Sequence, residues 1–149
     1  MVKEYGYEYD ATLDQELWDK TKGRITYENL WNAICLRSGR DALKAIAREY
    51  EPITVYIPAL ACDSMILPFE MYGHTVEFYK LNNDYTIDVE YLVKLIREHG
   101  EVGLFLYMDY FGIMSIKDSD LQSLREEYSQ LIFIEDRTHN LIWDRKSKF

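Results

Sequence analysis

From Ser38 onward the sequence alternates between helix-period and strand-period segments, and this alternation restricts the fold more than any other feature. Ser38 is placed to cap a helix with Asp41 at its third position, and Leu43, Ile46, Ala47 and Tyr50 recur at helical spacing behind it. The β-branched and aromatic run Ile53 to Ile57, closed by Pro58, predicts a buried strand. Asp63 or Ser64 opens a second helix that ends near Tyr72, with Gly73 as its stop and Pro68 as a potential kink. Thr75 to Tyr79 predicts a second strand, and Asn82, Asn83 and Asp84 the turn after it. Asp88 caps a helix carrying Leu92, Leu95, Ile96 and His99 on one face and stopping at Gly100. Val102 to Tyr107 predicts a third strand. Asp118 or Ser119 caps a helix with Leu121, Leu124 and Tyr128, and Leu131 to Ile134 predicts a fourth strand, almost wholly apolar. Strands separated by single helices imply an α/β fold: a mostly parallel sheet covered by helices on both faces.

Composition excludes several classes of function. With 149 residues, 48% of them hydrophobic, the chain suits one packed core, and no Pro/Gly/Ser-rich linker divides it. Residues 1–35 read as a leader or arm ahead of a domain over 36–149. A formal net charge of −9 argues against nucleic acid as a partner, since such binders cluster Lys and Arg. Arg145, Lys146 and Lys148 read as a solvated tail. Two cysteines, Cys35 and Cys62, suggest neither a metal site of their own nor a secreted disulfide scaffold. Nothing resembles a signal peptide or a membrane span, so a cytoplasmic protein with no membrane partner is expected.

Parallel sheets of this kind bind ligands where the strands end and the next helices begin. The segments to inspect are therefore Ser38 to Arg40, Pro58 to Ser64, Asp109 to Gly112 and Glu135 to His139. Ser38, Gly39 and Arg40 bring together free backbone N–H groups, an unobstructed glycine and a fixed positive charge, which suits an anion such as phosphate. The commoner meaning of such a tripeptide is an ordinary capped helix start. Asp136, behind four apolar strand residues, is expected to be partly desolvated and to need a partner: a protonated ring nitrogen, a metal, or the N–H groups of the next segment. His139 offers an imidazole to the same crevice, or simply a structural hydrogen bond.

Taken in order, these segments resemble the fold-type-I pyridoxal-phosphate enzymes, and among them the DegT-type aminotransferases that act on nucleotide-linked keto-sugars. Ser38-Gly39-Arg40-Asp41-Ala42-Leu43 is similar to the Ser-Gly-x-x-Ala-Leu phosphate turn, with Arg40 where threonine is usual. Ile57-Pro58-Ala59-Leu60-Ala61-Cys62 is similar to the Val-Pro-Ser-x-Thr-aromatic segment, Tyr110-Phe111-Gly112 to the Tyr/Phe-Gly after the third strand, and Ile134-Glu135-Asp136 to the Ile-Glu-Asp that holds the pyridine nitrogen. The resemblance implies that Ser38, Gly39 and Arg40 hold the cofactor phosphate, that Asp136 keeps the pyridine nitrogen protonated, and that His139 stands for a glutamine contacting the ring hydroxyl. Cys62 takes the place of an aromatic residue that stacks on the ring, so a smaller, softer wall is implied there.

The resemblance also implies a Schiff-base lysine on a further strand and loop beyond Asp136. Lys146 and Lys148 lie in the polar tail with no strand between, so no catalytic residue is assigned. The expected picture is thus part of the large domain of an aminotransferase, itself inactive and holding pyridoxal phosphate weakly or not at all. The resemblance implies a homodimeric parent acting on a small-molecule substrate, a nucleotide-sugar in polysaccharide biosynthesis. Two alternatives stand beside it: a small doubly wound binding or regulatory domain in which Asp109, Glu135 and Asp136 form an acidic pocket for a divalent cation, and an inert truncated reading frame.

Overall fold

A computed structural model describes residues 36–139. The expected leader, with Cys35, and the tail containing Lys146 and Lys148 lie outside these residues. The described elements run α1 (Gly39–Arg48), β1 (Thr54–Pro58), α2 (Asp63–Glu70), β2 (Thr75–Tyr79), α3 (Val89–His99), β3 (Gly103–Met108), a short 3₁₀ turn (Tyr110–Gly112), α4 (Asp118–Glu127) and β4 (Leu131–Asp136). The four strands form one sheet in the order β2-β1-β3-β4. Every pairing is parallel.

β3 explains why the sheet is covered twice. All six of its residues, Gly-Leu-Phe-Leu-Tyr-Met, are buried, and strand side chains point alternately to opposite faces. Leu104, Leu106 and Met108, with Val55 and Ile57 of β1, pack under Leu43 and Ala47 of α1 and Met65 and Phe69 of α2. Phe105 and Tyr107, with Tyr56 and Tyr79, pack under Leu92 and Ile96 of α3 and Leu121 and Leu124 of α4. Tyrosine suits this second face because its hydroxyl finds a backbone acceptor. Tyr56 donates to the Gly100 carbonyl at 2.6 Å and Tyr79 to the Leu106 carbonyl at 3.0 Å.

Local signals act largely as expected. Ser38 caps α1, its Oγ accepting from the Asp41 N–H at 3.2 Å, and Asp88 caps α3 by accepting from the Tyr91 N–H at 3.0 Å. Gly73, at φ 80°, follows α2 in the left-handed region that glycine adopts without strain. Pro68 lies inside α2 yet the helix continues to Glu70. Two expectations need correction. Neither Asp118 nor Ser119 caps α4: the cap is Lys117, which makes no side-chain bond, and Asp118 instead supplies a carboxylate to the first turn, where the helix dipole favours it. The fourth strand runs on to Asp136, and Ile132 to Ile134 are half-buried, because β4 is the outer strand of the described sheet.

Gly103 begins β3 where no side chain fits, since a Cβ there would meet the Thr54 carbonyl oxygen at 2.6 Å and the Tyr56 ring at 3.2 Å. Gly103→Ala should therefore push β3 off β1 and cost roughly 1–3 kcal/mol, read as a lower urea midpoint with an unchanged slope. The Tyr56 phenol is pushed up to about 12 by burial and, less, by the charge of Glu77. A raised folded value means that its contribution is complete below the unfolded value of about 10 and is lost as pH rises toward the folded one. Stability measured from pH 9 to 12 should fall more steeply in the natural chain than in Tyr56→Phe.

Candidate functional site

The chain passes from β1 to β2 on one side and then to β3 on the other side of β1, so the loops after β1 and β3 diverge and leave a crevice at their carboxyl ends. A cavity of about 750 Å³ occupies this place. Its walls come from the four segments singled out in the sequence. The start of α1 contributes Ser38, Gly39 and Arg40; the loop after β1 contributes Leu60 and Cys62; the end of β3 contributes Tyr110 and Phe111; and the end of β4 contributes Asp136 and His139. All six residues proposed from sequence therefore share one cavity. The β3–β4 register, with Met108 opposite Asp136, brings the last two walls to the same level.

The α1 wall presents backbone donors and positive side chains to the cavity. The N–H groups of Gly39 and Arg40, at the first two helical positions, have no acceptor within the helix. A Cβ on Gly39 would touch nothing within 4 Å, so its backbone faces open space. Arg40 makes no ion pair with any described residue, whereas Arg37 is engaged with Asp41 at 3.0 Å. The Arg37 hydrogen bond, with help from Ser38, holds the Asp41 carboxyl below the usual carboxylate range. Lys44, one helical turn beyond Arg40, also lines the cavity, a residue missed in the sequence reading although its i, i+4 spacing from Arg40 signals it.

Another wall holds Asp136, which takes one of the partners that the sequence left open. It is half-buried, and one carboxylate oxygen already accepts from the Thr138 N–H at 2.9 Å and from the Thr138 hydroxyl. The partner sought for this acid is thus, in part, the turn that follows it, an Asx-type closure. Tyr110 fastens the crevice by donating to the Leu60 carbonyl at 2.6 Å. Its hydroxyl is held protonated well above the ordinary tyrosine range by burial first and by the nearby Asp136 and Cys62 second. The exposed Cys62 contacts the Ser64 hydroxyl at 2.8 Å.

The acidic metal pocket finds no support. Asp109 is buried and accepts from the N–H of Ser115 at 2.9 Å, Glu135 is 3.9 Å from Arg137, and only Asp136 of the three lines the cavity. Among the described residues no group of three His, Cys, Asp or Glu side chains could hold a metal ion. No described helix is long and apolar enough to cross a membrane.

No protein-family model and no curated protein sequence matches the chain. Solved structures do match. The kynurenine aminotransferase of Pyrococcus horikoshii, solved with PMP and its substrate and product, superimposes with a TM-score of 0.58 at 22% identity over 66% of this chain. DesV of S. venezuelae gives 0.56 at 22% over 67%, and a DegT DnrJ EryC1 StrS aminotransferase of Brucella abortus 0.53 at 21% over 66%. The chain covers only 27%, 27% and 28% of these three proteins. Tyr110→Phe should loosen the crevice by removing the bond to Leu60, costing about 1 kcal/mol and speeding amide exchange in the loop from Leu60 to Ser64. The fold is α/β with a four-stranded parallel sheet, and it corresponds to part of the large domain of fold-type-I aminotransferases.

Proposed function

We propose that the cavity is the phosphate- and ring-binding part of a pyridoxal-phosphate site, and that the parent enzyme transfers an amino group. The observation that carries this reading is that a helix start with free backbone donors and Arg40, and the carboxylate of Asp136, line one cavity at the carboxyl edge of the sheet. The residues present fit the group. The N–H groups of Gly39 and Arg40, the Ser38 hydroxyl and the Arg40 guanidinium would hold its phosphate. Asp136 keeps one oxygen free of the Thr138 turn and would hold a proton on the ring nitrogen. Once bound, the cofactor supplies an electron sink for carbanion chemistry. The remaining work of this chain is to orient and to exclude water, through Leu43, Met65 and Met108 on the apolar floor.

A nucleotide-linked keto-sugar as amino acceptor rests on the DegT-type motifs, supported by the Brucella aminotransferase among the matching folds. A homodimeric, cytoplasmic parent belongs to the same proposal. We also propose that the 149-residue chain has no turnover alone. Lys44 is the one lysine of the cavity wall among the described residues, and it stands on the phosphate-binding helix rather than beyond Asp136.

Calorimetric titration of the chain with pyridoxal phosphate tests the reading. We expect binding without a borohydride-fixed adduct. Arg40→Ala should weaken both pyridoxal phosphate and inorganic phosphate, each by about tenfold, the scale of one charge-assisted bond. Asp136→Asn keeps the acceptor for Thr138 and should weaken only pyridoxal phosphate. Equal effects of Asp136→Asn on both ligands would remove this acid from the ring site. An adduct at Lys44 would overturn the absence of a covalent link.

A further inference from the structure

We propose that Phe111, backed by His139, is the ring-contacting wall of the cavity and replaces the aromatic contact that Cys62 does not supply. The inference rests on the pyridoxal-phosphate reading and assigns within it a residue that determines specificity for a flat-ringed phosphate ester.

Phe111 combines three properties that ordinary packing does not explain together. It is 69% exposed, so no core holds it in place. It lies in the left-handed region at φ 55°, ψ 28°, a conformation that a bulky aromatic residue rarely adopts and that concentrates at ligand-contacting positions. It also lines the cavity. The neighbouring Gly112, at φ 81°, could carry the left-handed turn without placing an aromatic side chain there.

The ring has three aromatic neighbours. His139 stacks on it with ring centres 5.1 Å apart and an angle of 21°, and Tyr85 meets it edge-on at 5.7 Å. Tyr85 is the other non-glycine residue of positive φ among the described residues, at 66°. Tyr110 contacts both His139 and Phe111 and is itself tied to Leu60 on the Cys62 side of the crevice. His139, which the resemblance places near a ring hydroxyl, also stacks on Phe111. A pre-ordered aromatic surface binds a flat ring with little further loss of side-chain freedom, whereas the thiol of Cys62 offers a small contact. Phosphate held at Ser38 to Arg40 would anchor such a ligand at one end and leave its ring to this wall.

The test compares two probes, pyridoxal phosphate and inorganic phosphate, on the whole chain and on Phe111→Asn, since asparagine accepts left-handed backbone without the ring. We expect pyridoxal phosphate to bind about tenfold more weakly, on the scale of one lost aromatic stack, with phosphate affinity and melting temperature unchanged or the latter raised. Phe111→Trp should retain the affinity. Unchanged pyridoxal-phosphate affinity in Phe111→Asn overturns the wall and leaves the cofactor reading intact, and equal losses for both probes reduce Phe111 to a structural residue. A natural chain that binds pyridoxal phosphate no better than phosphate overturns the cofactor reading and this proposal with it.

Discussion

The site depends on β3 being buried on both faces. A strand whose six residues are all inaccessible must have a neighbour on each edge and a helix layer on each side, and parallel pairing with β1 and β4 satisfies the edges. Parallel pairing then forces the carboxyl ends of these strands to the same side of the molecule. Register completes the arrangement: a slip of one residue between β3 and β4 would turn Leu131 and Phe133 away from the tyrosine-lined face and displace Asp136 from the level of Met108. The juxtaposition of Asp136 with Tyr110 and Phe111 is therefore a consequence of core packing, not of any attraction between those side chains.

The chemistry of the cavity runs against the charge of the whole protein. A chain of net charge −9 gathers Arg40 and Lys44 of α1, and Arg37 just ahead of it, in the cavity wall beside the positive end of that helix. Asp41 neutralises Arg37 and leaves Arg40 and the first backbone N–H groups for an anion. Facing them, Asp136 spends one oxygen on the Thr138 turn, which fixes the direction of the other. Tyr110 stays a protonated donor because burial disfavours its charge, and its bond to Leu60 joins the loop after β1 to the end of β3. Apolar floor, helix start and acid thus line one cavity built on the same sheet edge, the kind of preorganisation that electrostatic recognition requires.

Much of the fold was legible because its signals are local. Ser38 and Asp88 cap helices by bonds reaching only three residues ahead, and Thr75 to Tyr79 is a strand in sequence and structure alike. Where the reading failed, the deciding contact was distant or one of several equivalent local choices won. Lys117 rather than Asp118 ends up as the α4 cap because the helix begins one residue earlier than the polar pattern suggests. Ile132 to Ile134 are only half-buried despite their apolar character, since β4 is the outer strand of the described sheet. The acidic trio failed because adjacent residues on a strand face opposite ways: Glu135 turns to Arg137 while Asp136 turns to the cavity, and Asp109 closes its own loop through Ser115.

Sequence by itself determined which residue types stand at the strand ends and which segments form helices and strands, because helix caps, glycine stops and hydrophobic period act over a few residues. It thereby set the candidates Ser38, Gly39, Arg40, Cys62, Asp136 and His139. Tertiary structure alone decided that these lie around one cavity, that Tyr110 ties the end of β3 to Leu60, and that His139 stacks on Phe111. Those outcomes depend on strand order and register, which are fixed by burying two different apolar faces of the same sheet at once and not by any short stretch of chain.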